Sequence, residues 1–287
     1  SEVLVGLNSC IALKENGKVV VWGNENDGGD PENSIGLDNK TQQIIDETIL
    51  NDGVIKIAGL TGRYNTAWMI IKDDNTGYHW GNYGGPIMDE IIPENLENLT
   101  LNICSNNHSF AAIKNDKTVI TWGNKYRGGK QALYQFISFT NNQYIYEMKM
   151  DVSSNVTNIV DIVSINKAYA GLKQDGTVVT WGEFNENAYN GDISGVFDLT
   201  NVVKIYSSET TFIALKLNGT IYSWGNQANN NIIDLSGEVI VDIYSTFGSD
   251  QLTNYHETLV ALIDTGKVVS WGNAIATSEN ISELTSG

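Results

Sequence analysis

The chain has 287 residues, a formal net charge of −17, 41% hydrophobic residues, 28 Gly and 3 Pro. This composition is typical of a folded protein with many tight turns and excludes a disordered chain. The sparse basic residues argue against a phosphate-binding face, so we expect no nucleic-acid partner. No apolar run is long enough to predict a membrane span.

Six short β-like runs end in the dipeptide Trp-Gly, and they are spaced 42 to 59 residues apart. Repeats of this length indicate a propeller or another repeat array. Because each unit buries its faces only against its neighbours, we expect a single domain spanning residues 1–287. We interpret the repeated Trp as structural residues that pack between units: Trp22, Trp80, Trp122, Trp181, Trp224 and Trp271.

Each unit contains three strand-like runs, such as VDIVS at 160–164, AGLK at 170–173 and VVTWGE at 178–183. The turn between the second and third runs is Asn-Gly or Asp-Gly in three units, at Asn16, Asp175 and Asn218, which is a strong hairpin signal. A polar stretch after each Trp-Gly leaves room for a fourth strand. The sequence therefore predicts an all-β propeller of six four-stranded antiparallel blades. A seventh blade stays open, because both chain ends offer strand-like residues.

The repeat pattern resembles that of the regulator of chromosome condensation repeat family. The segments IALKENGKVVVWGNEN at 11–26 and AGLKQDGTVVTWGEFN at 170–185 carry the resemblance best. It covers the whole chain through six copies and implies a β-propeller. Two departures stand out. The Gly-Gln-Leu-Gly that usually follows the Trp-Gly is absent, and the His often placed before the second strand occurs only as His108.

Candidate contact residues lie in the loops that join strands one and two or strands three and four. In an antiparallel blade both sets of loops fall on one face, and the tight hairpin turns fall on the other. Tyr and Arg dominate protein interfaces, so we expect the aromatic and basic loop residues to be partly exposed and to bind a protein partner. They are Tyr64, Tyr83, Lys125, Tyr126, Arg127, Tyr169, Phe184 and Phe247.

The segment 131–155 exceeds the basic repeat and contains QFISFTNNQYIYEM, which predicts a hairpin turning at Asn141-Asn142. A hairpin added to a regular scaffold is a candidate contact element. The alternative is an ordinary pair of long outer strands. We interpret Cys10 and Cys104, which occupy different positions in their units, as free thiols.

Catalysis finds little support in the sequence. The three His, at 79, 108 and 256, have no metal-ligand spacing, and no nucleophile elbow or phosphate loop is present. We therefore predict that the protein is not an enzyme and has no catalytic residues, metal or cofactor.

Three functions remain open at this stage. The first is a non-enzymatic, monomeric, protein-binding propeller, acting as an inhibitor or as a secreted effector or toxin-associated module. The plain Trp-Gly endings resemble those of the streptomycete β-lactamase inhibitor, and the aromatic loops favour this function. The second is a guanine nucleotide exchange factor for a Ran-like small GTPase, which the family resemblance implies and the 131–155 hairpin supports. The third is a carbohydrate-binding propeller. The sequence names neither the partner nor the compartment, secreted or cytoplasmic.

Overall fold

The structure is a computed structural model that describes residues 1–31, 47–62, 65–82, 90–91, 93, 96–140, 143–184, 198–225, 231–249 and 255–272. These residues lie mostly in β-strands. The helical segments among them are short: α1 (Glu47–Asn51) and 3-10 turns at Glu25–Asp27, Lys125–Arg127 and Ser153–Asn155. The all-β prediction is confirmed. No helix in the described ranges has the length and hydropathy that a membrane span requires.

The described strands form six sheets that follow one another along the chain. The first sheet contains β1 (Glu2–Val5), β2 (Ser9–Leu13) and β3 (Val19–Gly23), and the second contains β4 (Val54–Gly62), β5 (Asn65–Lys72) and β6 (Gly77–Gly81). The third contains β7 (Glu90–Ile91), β8 (Leu99–Ser105), β9 (Ser109–Lys114) and β10 (Val119–Asn124). A succession of small antiparallel sheets is the arrangement that propellers share.

The second half of the chain continues the series. The fourth sheet contains β11 (Ala132–Thr140), β12 (Gln143–Asp151), β13 (Ile159–Ile165), β14 (Ala168–Lys173) and β15 (Val178–Phe184). The fifth contains β16 (Val202–Ser207), β17 (Thr211–Lys216), β18 (Thr220–Gly225) and β19 (Asn231–Asp234), and the sixth contains β20 (Ile240–Ser249), β21 (Tyr255–Ile263) and β22 (Val268–Gly272).

Tight turns join the second and third strands of each unit. Four of them place the predicted Gly at positive φ, and in the second and third units that position is held by Asn75, with φ +66°, and Lys117, with φ +63°. Gly176 has φ +80°, a left-handed conformation that L side chains rarely adopt. The Asp175 carboxylate accepts hydrogen bonds from the Thr177 amide at 3.0 Å and the Thr177 hydroxyl at 2.6 Å. The Gly176 carbonyl accepts from the amide of Val202 at 2.9 Å, at the start of the next sheet. The turns therefore also bind neighbouring sheets together.

The predicted loop face is also present. The amide of Asn124, after the third strand, donates to the carbonyl of His108, before the second strand, at 2.9 Å. Glu183 and Lys167 make the same bond in the next unit at 3.0 Å. The two sets of loops are therefore neighbours, at the opposite end of the strands from the tight turns. We call this end the loop face.

The core consists of five hydrophobic clusters, each shared by two consecutive sheets. In each cluster the Trp-bearing face of one sheet packs on the opposite face of the preceding sheet. Trp181 of the fourth sheet, for example, packs with Ala111 and Ile113 of the third. Trp80, Trp122, Trp181, Trp224 and Trp271 are between 0% and 7% exposed.

Trp22 does not follow this pattern, which corrects the expectation of packing at that residue. It is 46% exposed because it lies in the first sheet, and no described residues form a sheet before it.

The outer strands differ from the predicted blade. Among the described strands, only β19 extends its own unit, by pairing with β18. The strand that follows Trp80, β7, pairs instead with β10 of the third sheet. The hairpin β11–β12 follows Trp122 but joins the fourth sheet, where β11 lies parallel to β15. In the third and fourth sheets, the outer strand therefore comes from the connection before the sheet. The expected blade takes its fourth strand from the residues that follow its own Trp-Gly.

Candidate functional site

The site lies on the loop face, where the turn Lys125–Arg127 meets the base of the β11–β12 hairpin. Asn124 caps this turn, since its side-chain oxygen accepts from the amide of Tyr126 at 3.1 Å. The turn ends at Gly128, whose φ of +103° only a glycine adopts easily. These local constraints present Lys125, Tyr126 and Arg127 together at one corner of the third sheet.

Three tyrosines join the turn to the hairpin. The ring of Tyr126 stacks on that of Tyr146 of β12, with centroids 4.2 Å apart and planes at 16°. Tyr134 of β11 meets the ring of Tyr126 edge-on at 5.1 Å. The ammonium of Lys125 lies 4.7 Å from the Tyr126 centroid, in cation–π range. The hairpin base is therefore fixed to the turn by aromatic contacts.

A charge network lies directly beside these rings. Glu183, which is only 7% exposed, receives two cations: Lys167 Nζ lies 2.9 Å from its Oε1, and Arg127 Nε lies 3.4 Å from its Oε2. The hydroxyl of Tyr146 donates to Oε2 at 3.3 Å. A buried carboxylate needs such partners, because charge without them is costly in a low dielectric.

Two pKa values describe the electrostatics of this network. Burial, reinforced by the charges of Arg127 and Lys167, lowers the pKa of His108 to about 3. The imidazole is therefore neutral at physiological pH, and its Nε2 lies 2.9 Å from Arg127 Nη1, where it accepts a hydrogen bond. Burial, with a further contribution from Glu183, raises the pKa of Tyr146 to about 12, so the phenol keeps its proton.

The same geometry recurs with other residues between the first and second sheets. Asp27 directly precedes Gly28-Gly29, as Arg127 directly precedes Gly128-Gly129, so the two residues hold the same position. Asn8 holds the position of His108. Asn8 donates to Asp27 at 2.8 Å, and Asn82, which follows its Trp-Gly as Glu183 does, donates to Asp27 at 3.4 Å. An anion held by two amides in one joint is thus replaced by a cation held by a carboxylate in the other.

The structure brings together three of the sequence-predicted contact residues, Lys125, Tyr126 and Arg127, each partly exposed. Arg127 is 17% exposed and already faces an internal carboxylate. Tyr64 and Tyr83 lie outside the described residues. Phe184 ends β15 and Phe247 lies in β20, and the structure describes the backbone of these two residues but not their side chains.

Tyr169 corrects the expectation of an exposed loop residue. Its side chain is fully buried and its hydroxyl donates to the carbonyl of Ser109 at 2.6 Å. The reason is register: β14 begins at Ala168, so Tyr169 is already in the strand and points at the third sheet. It offers no surface to a partner.

Sequence reasoning missed the partners of Arg127. One signal was available: five of the six Trp-Gly pairs are followed by Asn, whereas the pair at Trp181 is followed by Glu183. That single departure marks the carboxylate beside Arg127. Lys167 and Tyr146 carried no comparable signal, because their approach depends on how neighbouring units pack.

The hairpin extends beyond the body of its sheet on the loop side. β15 runs toward the loop face, and β11 is parallel to it over Leu133–Gln135. Residues 136–140 continue the strand past that pairing, a reach of about 16 Å at the usual rise per residue. On the returning strand three large apolar side chains are exposed: Ile145 at 43%, Met148 at 49% and Met150 at 47%.

The described residues contain no group of three His, Cys, Asp or Glu placed to hold a metal ion. No family model matches the sequence. No curated protein matches it either.

Solved structures similar to this chain include yeast RCC1 (Prp20). Prp20p from Saccharomyces cerevisiae is 17% identical, with a TM-score of 0.47 over 94% of this chain and 71% of that one. Yeast RCC1 (Prp20) bound to Kap60 is 16% identical, with a TM-score of 0.49 over 94% of this chain and 69% of that one. Human WBSCR16 is 14% identical, with a TM-score of 0.42 over 84% of this chain and 68% of that one. Likenesses at such identities concern the fold alone.

Proposed function

We propose that residues 1–287 form one domain of six propeller blades in series, which binds a protein partner, without catalysis, through the hairpin β11–β12 and the turn at its base. The observation that carries the proposal is the placement of this hairpin. Its residues 136–140 and 143–146 continue past the pairing with β15, and its base is fixed by Tyr126 and Tyr146. Its outer strand exposes Ile145 in that part, and Met148 and Met150 along the edge of the sheet.

The exposed side chains have the chemistry of a protein contact. Exposed large apolar side chains on an added hairpin are candidates for contact with another protein. Met148 and Met150 are flexible and polarisable, which suits a surface that adapts to a partner. Lys125 and Tyr126 stand beside them as an aromatic and cationic anchor of the kind enriched at interfaces.

The charge network has a supporting role in this proposal. Arg127 is bound to Glu183 and close to Tyr146, so it holds the hairpin base rather than reaching outward. A fixed base lowers the entropy lost on binding, which strengthens association without adding contacts. The net charge of −17 favours encounter with a basic partner. An inhibitor of another protein would use such a preformed surface.

The test compares capture by matched variants. The immobilised chain is incubated with a lysate or secretome, and bound proteins are quantified by mass spectrometry. Met148→Ser with Met150→Ser should reduce capture of the specific partner at least about tenfold, as loss of an interface centre does. Val239→Ser, at an equally exposed residue away from the hairpin, should leave capture unchanged. Equal losses in both variants would place the binding surface elsewhere.

The exchange-factor alternative depends on the same hairpin, because a projecting wedge is what the family resemblance implies for that activity. Release of a fluorescent guanine nucleotide from a Ran-like GTPase separates the two functions. Acceleration that disappears in the Met148→Ser, Met150→Ser variant supports exchange. Binding without acceleration supports an inhibitor or binding module. The predicted monomer and the predicted lack of a nucleic-acid partner remain predictions, and carbohydrate binding remains the third candidate function.

A further inference from the structure

The first sheet presents an apolar face whose equivalents are covered in the other sheets, with the partly buried Ile103 at the position of Val3 in the third sheet. Val3 is 58% exposed, whereas Ile57, Ile162, Ile205 and Ile243, which hold its position, are 1% to 7% exposed. Trp22 on the same face is 46% exposed, against at most 7% for its five equivalents. Cys10, the cross-strand neighbour of Trp22, is half-buried.

The molecule itself shows what covers such a face. Five times along the chain, a Trp-bearing face packs on the opposite, aliphatic face of the preceding sheet. At the fifth of these joints the covering residues are Ile213 and Leu215 of β17. A complement for the first sheet must therefore be an aliphatic sheet face with residues at those two positions.

The sixth sheet presents that complement. Val260 and Leu262 of β21 occupy the positions of Ile213 and Leu215 and are half-buried, whereas Ile213 is 1% exposed. Their neighbour Tyr244 on β20 is 56% exposed. Among the described strands there is no extended contact between the first and sixth sheets, so the two complementary faces do not meet within one chain.

We propose that the Trp22 face of one chain packs on the Val260–Leu262 face of a second copy, forming between molecules the joint that is made five times within each. The two contacting surfaces differ, so the interface is heterologous. A pair of copies then keeps one free face of each kind, one on each copy, so further copies can add, and a ring forms where the rotation between copies closes. This departs from the monomer that the sequence predicts.

The association is driven by burial of apolar area and opposed by the net charge of −17 on each copy. Screening by salt weakens that repulsion. The molar mass should therefore rise with protein concentration and, at a fixed concentration, with added sodium chloride.

The experiment measures molar mass by light scattering over about a hundredfold range of protein concentration. The wild type should rise from one chain mass to two or more. Val3→Asp and Tyr244→Asp each remove one of the two faces, so each alone should stay at one chain mass. An equimolar mixture of the two retains one intact face of each kind and should form a complex of two chains. Leu217→Asp, at a 77% exposed turn residue, should behave like the wild type.

Cys10 reports whether the face is covered. Reaction with a disulfide reagent should be fast in dilute protein and slow in concentrated protein. The Cys10→Ser variant gives the background from Cys104, whose pKa burial raises to about 11. Constant mass with a fast thiol at every concentration would mean that the face stays open. Constant mass with a slow thiol would mean that the chain closes on itself. Either outcome overturns the proposal, as does a mixture that fails to form a two-chain complex.

Discussion

The hydroxyl of Tyr169 donates a hydrogen bond to the carbonyl oxygen of Ser109 at 2.6 Å, across the joint between the fourth and third sheets. The Tyr169 ring stacks on Trp181, with centroids 5.3 Å apart. The first joint has the same arrangement with another aromatic, since Trp68 Nε1 donates to the hydroxyl of Ser9 at 3.0 Å. A polar contact within an otherwise apolar joint fixes how two sheets align.

Tyr169→Phe should therefore lower the free energy of unfolding by about 0.5–1.5 kcal/mol, because it removes one buried hydrogen bond while the Ser109 carbonyl keeps the bond from the Asn106 amide at 3.0 Å. Urea denaturation at neutral pH measures the change. Tyr244→Phe removes the hydroxyl of an exposed tyrosine and should change the stability by less than about 0.5 kcal/mol. Similar effects for the two variants would show that the bond across the joint contributes little.

Trp181→Ala and Trp22→Ala form a matched pair within the repeat. Trp181 is fully buried, so its truncation should cost about 3–5 kcal/mol. Trp22 is 46% exposed and should cost less than half as much, measured on dilute protein by the same denaturation. A Trp22 variant as damaged as the Trp181 variant in dilute protein would mean that the first sheet is covered within a single chain.

Glu257 in β21 should make stability depend on pH. It is 5% exposed, its Oε2 accepts from the hydroxyls of Thr210 and Thr211, and its Oε1 has no hydrogen-bond partner among the described residues. Burial raises its pKa above the ordinary value of 4.5. The protonated form is therefore favoured by folding. Its contribution is fully present below pH 4.5 and is lost as the pH rises through the folded value.

Glu257→Gln should consequently be more stable than the wild type at pH 7.5, and the difference should shrink toward pH 4. Thermal unfolding at several pH values tests this. Glu147→Gln, at an exposed position, should show no such trend. A gain that is equal at both ends of the range would exclude titration as the cause.

His108 should act in the opposite pH range. Its folded pKa of about 3 lies below the ordinary 6.5, so the neutral ring is favoured by folding. That stabilisation is complete above pH 6.5 and is lost as the pH falls toward 3. His108→Asn places the residue found at the equivalent position in the first sheet, Asn8, and should flatten the loss between pH 6.5 and 4. His79, whose pKa burial lowers to about 4, keeps its own contribution in both proteins.

The local elements could be predicted from the sequence because their signals are local. Asp175-Gly176 encodes a turn through positive φ and an Asp side chain that accepts from Thr177, and the alternation in 160–164 encodes a strand. The turn at Lys125–Arg127 could be recognised as a basic, aromatic corner for the same reason. The burial of Tyr169 depends instead on a strand boundary: β14 begins at Ala168, two residues before the predicted run at 170–173, so a residue expected in a loop lies in the strand.

The outer strands could not be predicted, because their pairing depends on which neighbouring edge is free. β7 is two residues long and has no measurable period. The sequence of β11 predicts a strand but not its parallel partner β15, which is far along the chain. The partners of Arg127 depend on this pairing of β11 with β15, since Tyr146 reaches Glu183 only when the hairpin joins the fourth sheet.

The parallel pairing of β11 with β15 also sets the order in which the chain can be assembled. Leu133 lies beside Gly182, so during synthesis the outer strands of the fourth sheet leave the ribosome before the strand that must receive them. Because they follow β10 in the chain, their pairing with β15 links the third sheet to the fourth. The outer strand described for the fifth sheet is its own β19, which follows β18 directly in the chain. Amide hydrogens of the third and fourth sheets should accordingly exchange as one cooperative unit, while those of β19 exchange independently.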